Sequence, residues 1–169
     1  PFQKGTILDT IGLKYWQGGN YPEAIQSFKE SLSFFQELKN NTWIGKVNNN
    51  IGVVNWGMGN GTEAMKYYQE SLKIRRAIND KKGLSTVLNN IGIIYLDWGL
   101  AEEAFIRHQE ALEIALEIDD GYAIAYSNTN LGAYYKYMKQ YDEAINHLKI
   151  GFETEVERGI DQVSYSYLL

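Results

Sequence analysis

Asn89-Asn90-Ile91-Gly92 repeats a stretch that the chain has already carried as Asn49-Asn50-Ile51-Gly52, and it returns in altered form as Thr129-Asn130-Leu131-Gly132. Forty residues separate each pair, and forty residues further back stands Thr10-Ile11-Gly12, so Gly12, Gly52, Gly92 and Gly132 mark one register along the chain. Further columns hold in that register. Eleven residues after each glycine come Glu23, Glu63, Glu103 and Glu143, followed at once by Ala24, Ala64, Ala104 and Ala144. Later still come the small residues Ser31, Ser71, Ala111 and Gly151, each beside a large apolar one: Leu32, Leu72, Leu112 or Phe152. A fixed period of this length describes stacked units rather than a single globule with one centre.

Each period splits into two helical patterns. In the third, Gly83 to Trp98 sets Leu84, Val87, Leu88, Ile91, Ile94 and Tyr95 at three-and-four spacing, the pattern of an amphipathic helix, here helix A. Gly99 and Leu100 turn the chain. Glu102 to Ile118 then repeats the spacing with Ala104, Phe105, His108, Ala111, Leu112, Ala115 and Leu116, as helix B. Glu102 and Glu103 suit the positive end of its dipole, and Asp119-Asp120-Gly121 supplies the stop. Gly18-Gly19-Asn20, Gly59-Asn60-Gly61 and Lys139-Gln140 turn A into B elsewhere; Lys39-Asn40-Asn41, Asn79-Asp80 and Arg158-Gly159 turn B into the next A. Eight helices follow, with a ninth expected to begin at Ile160. The periods are read as residues 2–41, 42–81, 82–121 and 122–159 of one array, with 160–169 starting another unit. Because the chain opens at Pro1 and stops within a helical pattern, the array is expected to continue in a longer protein.

Composition narrows the function classes. The chain is 44% hydrophobic and 14% aromatic, enough apolar material to fold, and its only prolines are Pro1 and Pro22, the latter at a helix start. A net charge of −5 with scattered lysines and arginines offers no footprint for nucleic acid or anionic lipid. No apolar run reaches the roughly 18 residues of a membrane helix, and no signal peptide is visible, so a cytoplasmic location is expected. Cysteine is absent, which excludes disulfides, thiolate metal sites and cysteine nucleophiles. His108 falls on a core position of its helix and His147 in a different period, so they are not read as metal ligands. No phosphate loop and no nucleophile with base and relay is present; the chain is read as a non-enzyme without a cofactor.

Two helices approach closely only where side chains are small, and the glycine of helix A is expected to face the alanine of helix B. Tyr15, Tyr95 and Tyr135, three after each glycine, belong on the same buried side, where Asn55 breaks the column. Glu153, Glu155 and Glu157 read as a solvated face, Trp98 reads as packing, and Trp43 receives no role.

These columns resemble the tetratricopeptide repeat: aliphatic and small residues in helix A, an aromatic three on, and alanine early in helix B. The usual period of that family is about 34 residues, so the 40-residue period and the form Leu-Asn-Asn-Ile-Gly from Leu88 resemble its longer-helix branch, typified by kinesin light chains, spindle adaptors and bacterial signalling arrays. The resemblance implies an all-α fold, a right-handed α-solenoid of four helix-turn-helix units plus the start of a fifth. It also implies a concave groove lined by the A helices that receives a protein or peptide segment.

One stripe of helix A, at offsets −6, −2, +1 and +5 from the glycine, would line that groove in the family. It contains Lys46, Asn50 and Val53 in the second period, Thr86, Asn90, Ile93 and Asp97 in the third, and Tyr126, Asn130 and Tyr137 in the fourth. Asn49, Asn89, Trp16 and Trp56 flank it. Asparagine inside a helix costs up to about 0.7 kcal/mol relative to alanine, so the asparagine column needs an offset. A carboxamide that matches the N–H and C=O of an extended peptide provides one, and a bond to the neighbouring repeat provides another. Asp9 and Asp97 against Lys46 and Lys136 leave the stripe of mixed charge. The leading reading is a peptide- or protein-binding module. The alternative is a regulatory or oligomerisation segment of a larger signalling protein, with self-association through the terminal repeats.

Overall fold

A computed structural model describes residues 2–160, and these form eight helices: α1 (Phe2–Gln17), α2 (Tyr21–Glu37), α3 (Asn41–Gly57), α4 (Gly61–Ala77), α5 (Lys81–Asp97), α6 (Ala101–Glu117), α7 (Gly121–Tyr137) and α8 (Tyr141–Arg158). No strand occurs among the described residues, and the fold is an all-α solenoid of helix pairs. The expected ninth helix, past Ile160, lies outside the described residues. The chain divides into two compact units, one up to Gly83 and one from Leu84 on.

The A helices α3, α5 and α7 each start at a polar side-chain cap. Asn40 Oδ1 accepts from the Trp43 N–H at 3.2 Å, Asp80 Oδ1 from Gly83 at 3.0 Å and Asp120 Oδ1 from Ala123 at 3.0 Å. Three caps at forty-residue intervals therefore carry the register as firmly as the glycines do. All eight helices end alike: the residue after the C-cap donates three residues back, and the next residue donates five back, as in Gly19 N–H to Trp16 O (3.0 Å) and Asn20 N–H to Tyr15 O (2.9 Å). That closure needs a left-handed residue, and one occurs every twenty positions: Gly19, Lys39, Gly59, Asn79, Gly99, Asp119, Lys139 and Gly159 all have positive φ.

Within a pair, the side chain nearest the glycine of helix A is not the alanine expected from the sequence, although at Gly132 the Ala144 carbonyl oxygen also lies 3.3 Å from where a Cβ would stand. The glycine lies against the residue four further on, which is Phe28, Tyr68, His108 or Leu148. A Cβ placed at Gly12, Gly52, Gly92 or Gly132 would fall 2.7, 2.4, 2.5 and 2.7 Å from those side chains. Because the ring or branched chain lies over the bare backbone, large and small residues exchange volume at constant helix separation.

A second close approach was not visible in the sequence columns until the partner was known. Ser31 Oγ donates to Gly5 O and Ser71 Oγ to Gly45 O, each at 2.8 Å, and Ser85 Oγ donates to Ala111 O at 2.9 Å. In the last pair a Cβ at Gly151 would meet Ala125 O at 3.2 Å. The small column of helix B thus faces a small column of helix A (Gly5, Gly45, Ser85, Ala125), and the helices are clamped at two points.

In the first unit, Ala24, Phe28, Phe35, Val47, Ile51 and Val54 form a dry core joining α2 and α3, with Leu13, Trp16, Ile25, Leu32 and Tyr67 packed around it. Trp43, given no role from sequence, stacks on Phe35 with ring centroids 4.8 Å apart. In the second, Ala115, Ala123 and Ile124 pack with Leu112, and Phe105 of α6 lies 5.0 Å from Tyr134 of α7. Two expectations fail. Glu155 is buried rather than solvated, and Tyr15 is exposed, because no helix B lies in front of α1 among the described residues.

Two substitutions test these constraints by urea unfolding. Gly52→Ala should lower stability by about 1–3 kcal/mol, the cost of overpacking against a rigid ring, despite the helix propensity of alanine. Lys139→Gly should raise it by about 0.5–1 kcal/mol, since a left-handed non-glycine residue costs about 1–2 kcal/mol and glycine returns part of that as unfolded-state entropy.

Candidate functional site

The A helices carry the candidate residues, and the structure divides them into those that remain at a surface and those consumed by packing. In the first unit, α1 and α3 lie side by side with Asp9 between them. Asp9 is buried. Its carboxylate accepts from Lys46 Nζ at 2.9 Å and from Asn50 Nδ2 at 2.8 Å. Lys46 Nζ also sits 4.1 Å from the centre of the Trp43 ring, where the face of the indole adds cation–π attraction. The ion pair is lopsided: the lysine side chain is 43% exposed and the aspartate 2%. Solvent therefore reaches the cation, while the protein neutralises the anion.

Next to this polar cluster lies a cavity of about 180 Å³ lined by Leu13 and Trp16 of α1, Phe28 of α2, and Asn50 and Val53 of α3. Of the predicted residues, Trp16, Asn50 and Val53 thus converge on one apolar hollow whose polar edge is the Asn50 carboxamide. Since its Nδ2 is directed to Asp9, the Asn50 orientation is set, and its carbonyl oxygen is the acceptor presented on the other side. Asn49 is buried, and Trp56 is half-buried with no part in the lining.

In the second unit the asparagine column behaves differently at each position. Asn89, read as a flanking contact, is fully buried (0% exposed) and its carboxamide is spent inside the fold. Nδ2 donates to Ser127 Oγ at 2.8 Å, and Oδ1 lies 3.0 Å from His108 Nδ1. That corrects its assignment: Asn89 ties α5, α6 and α7 together. Asn90 is 8% exposed, and its Oδ1 accepts from the Tyr126 hydroxyl at 3.1 Å. Tyr126 in turn stacks beside Tyr122. Asn130 is equally buried, yet its Nδ2 has no acceptor among the described residues. Thr86 and Ile93 are half-buried, whereas Asp97 and Tyr137 are exposed beyond the column.

The structure adds a histidine pattern that the sequence did not reveal. His147 Nδ1 lies 2.9 Å from Asn128 Oδ1, and Asn128 Nδ2 donates to Ile124 O at 3.0 Å. With the amide fixed that way, the imidazole must donate through Nδ1, as His108 does to Asn89. Both pairs span nineteen residues, from helix A to helix B. The signal available in the sequence was a histidine nineteen residues after an asparagine, once in each of two periods. Among the described residues no three His, Asp or Glu side chains gather into a metal-binding group, and no helix is long and apolar enough to cross a membrane.

Burial pushes the His108 pKa from its ordinary 6.5 down to about 3, and burial also lowers that of His147. The fold holds His108 neutral, so its contribution is intact above about pH 6.5 and is lost as pH falls from there toward 3, at up to about 1.4 kcal/mol per pH unit. His108→Gln retains a donor for Asn89. In unfolding measurements between pH 6.5 and pH 5, the wild type should lose about 2 kcal/mol more than this variant.

Helix pairs clamped at small residues and joined by turns of one geometry define an all-α helical-repeat solenoid. The family model described as tetratricopeptide repeat matches residues 43–117. That segment is a tetratricopeptide-repeat stretch, and the same columns continue on both sides of it. No curated protein sequence matches the chain. Among solved structures, it is similar to BtubC (BKLC) from P. vanneervenii at 18% identity and a TM-score of 0.77, covering 95% of this chain and 66% of that one. It is also similar to a Rap protein complexed with competence and sporulation factor (18% identity, TM-score 0.83, 93% of this chain and 44% of that one). The apo form of RapI is a third such structure (20% identity, TM-score 0.72, 92% and 44%). The chain therefore spans about two thirds of BtubC and less than half of the Rap chains.

Proposed function

We propose that this chain is a protein-interaction module that holds an extended segment of another protein against its A helices, without a catalytic step of its own. The observation that carries this reading is the hollow between α1 and α3, where Leu13, Trp16 and Val53 provide apolar walls and Asn50 an amide edge. A cavity of about 180 Å³ accommodates one apolar side chain, and a carboxamide at its rim suits the backbone of the residue that carries it. The Rap protein complexed with competence and sporulation factor is a structural neighbour whose own complex fits this use of the fold. Lys46 is neutralised by Asp9, so the segment is selected by apolar anchoring and backbone hydrogen bonding rather than by net charge.

The test uses a displayed library of short random peptides selected on the wild-type chain. The selected peptides should share an apolar anchor, and Val53→Arg should weaken their binding at least about tenfold, or about 1.4 kcal/mol. Asn50→Ala should weaken it by a smaller factor. Peptides that bind Val53→Arg as tightly as the wild type would show that the hollow is not the site.

A further inference from the structure

A second hollow, of about 120 Å³, lies inside the second unit among α6, α7 and α8, and it shares no residue with the hollow of the first unit. Phe105 and Leu112 of α6 and Leu131 and Tyr135 of α7 supply apolar walls, and α8 contributes His147. Leu116, 57% exposed, stands at its edge, so solvent reaches it there. An apolar cavity of about 150 Å³ holds a benzene ring, so a slightly smaller space open at one edge matches a single ring.

His147 sets the chemistry of that space. Its Nδ1 lies 2.9 Å from Asn128 Oδ1, and because Asn128 Nδ2 donates to Ile124 O, the imidazole proton sits on Nδ1. Nε2 is therefore an acceptor, and no described residue donates to it. Asn128 is not a wall of the hollow, so the Nδ1 edge is turned away and Nε2 is the imidazole nitrogen within reach of an occupant. The ring stacks on Tyr135 with centroids 5.2 Å apart, which holds it in that setting. Burial lowers the His147 pKa and so maintains the neutral, accepting form at neutral pH. The other polar side chains at the hollow, Gln109 and Glu113, are exposed.

The first unit shows what such a place accommodates. Two periods earlier, Phe105, Leu112 and Leu131 correspond to Ile25, Leu32 and Ile51, and His147 corresponds to Tyr67. Ile25, Leu32 and Tyr67 all pack on the core that contains Ile51. Where the first unit packs a phenol ring of its own, the second has a smaller ring bonded away to Asn128, with a hollow beside it.

We propose that this hollow binds a single phenol ring, its carbon face against Phe105, Leu112 and Leu131 and its hydroxyl donating to His147 Nε2. A carboxylate ligand is disfavoured, since Nε2 has no proton to give and Glu113 stands at the edge.

Titrations of the chain with p-cresol and with toluene, followed by the imidazole nitrogen and leucine methyl resonances, test this. p-Cresol should bind with a dissociation constant on the order of 1 mM. Toluene, the same molecule without the hydroxyl, should bind about three- to tenfold more weakly, the worth of one hydrogen bond. His147→Phe keeps a ring beside Tyr135 without the acceptor, and should bind the two probes alike. His147→Tyr supplies its own phenol, as Tyr67 does, and should bind neither; circular dichroism should show wild-type helicity in both variants. N-acetyltyrosinamide distinguishes the source of the ring. Binding as tight as that of p-cresol assigns it to a tyrosine side chain of a partner, and much weaker binding to a free phenol. The proposal is overturned by a wild-type chain that shows no saturable shift, or that binds toluene as tightly as p-cresol. Undiminished p-cresol binding by His147→Tyr overturns it as well, since the ring would then sit elsewhere.

Discussion

The close approach of two helices over a bare glycine is the constraint on which the rest of this structure depends. At Gly12, Gly52, Gly92 and Gly132 a Cβ would lie within 2.7 Å of the side chain opposite, so any larger residue forces that side chain or its helix to shift. With the backbone that near, the residue above it is free to vary in chemistry as long as it fills the space. Phenylalanine, tyrosine, histidine and leucine all occupy the position. The array can therefore hold a buried histidine at one pair and a plain hydrocarbon at the next without changing its geometry.

A second clamp makes the geometry stiff enough to bear a site. Serine hydroxyls of α2 and α4 reach the backbone carbonyls of Gly5 and Gly45, and Ser85 does the reverse toward α6. Two points of contact along a pair fix both separation and crossing angle. In the first unit Leu13, Trp16, Asn50 and Val53 surround a hollow between α1 and α3. Asp9 takes part in the same arrangement, since its buried carboxylate orients both the Lys46 ammonium and the Asn50 amide.

Polar residues inside helix A divide into two kinds that have the same composition. Some serve the fold: Asn89 bridges His108 and Ser127, and Asn55 and Asn128 turn back on carbonyls of their own helices. Others are not fully used by the fold. Asn50 and Asn130 each retain hydrogen-bonding capacity that no described residue uses. Adjacent asparagines such as Asn89 and Asn90 thus bond to different partners, Asn89 to His108 and Ser127 and Asn90 to Tyr126, because a helix turns about 100° per residue and the two side chains point in different directions.

By itself, the sequence determined the repeat length, the order and turns of the eight described helices and the resemblance to the tetratricopeptide repeat. Those features follow from periodicities of 3.6 and forty residues and from small or capping residues, all local properties that survive without knowing any partner. It also marked out a stripe that contains the hollow of the first unit. Only the tertiary structure decided which residue each glycine faces, that Asn89 and Glu155 are buried while Tyr15 is not, and that Trp43 belongs to the core. The physical reason is that burial and hydrogen-bond completion belong to pairs of helices. A side chain's neighbours across a junction are set by crossing angle and axial offset, neither of which is written in the spacing along one helix.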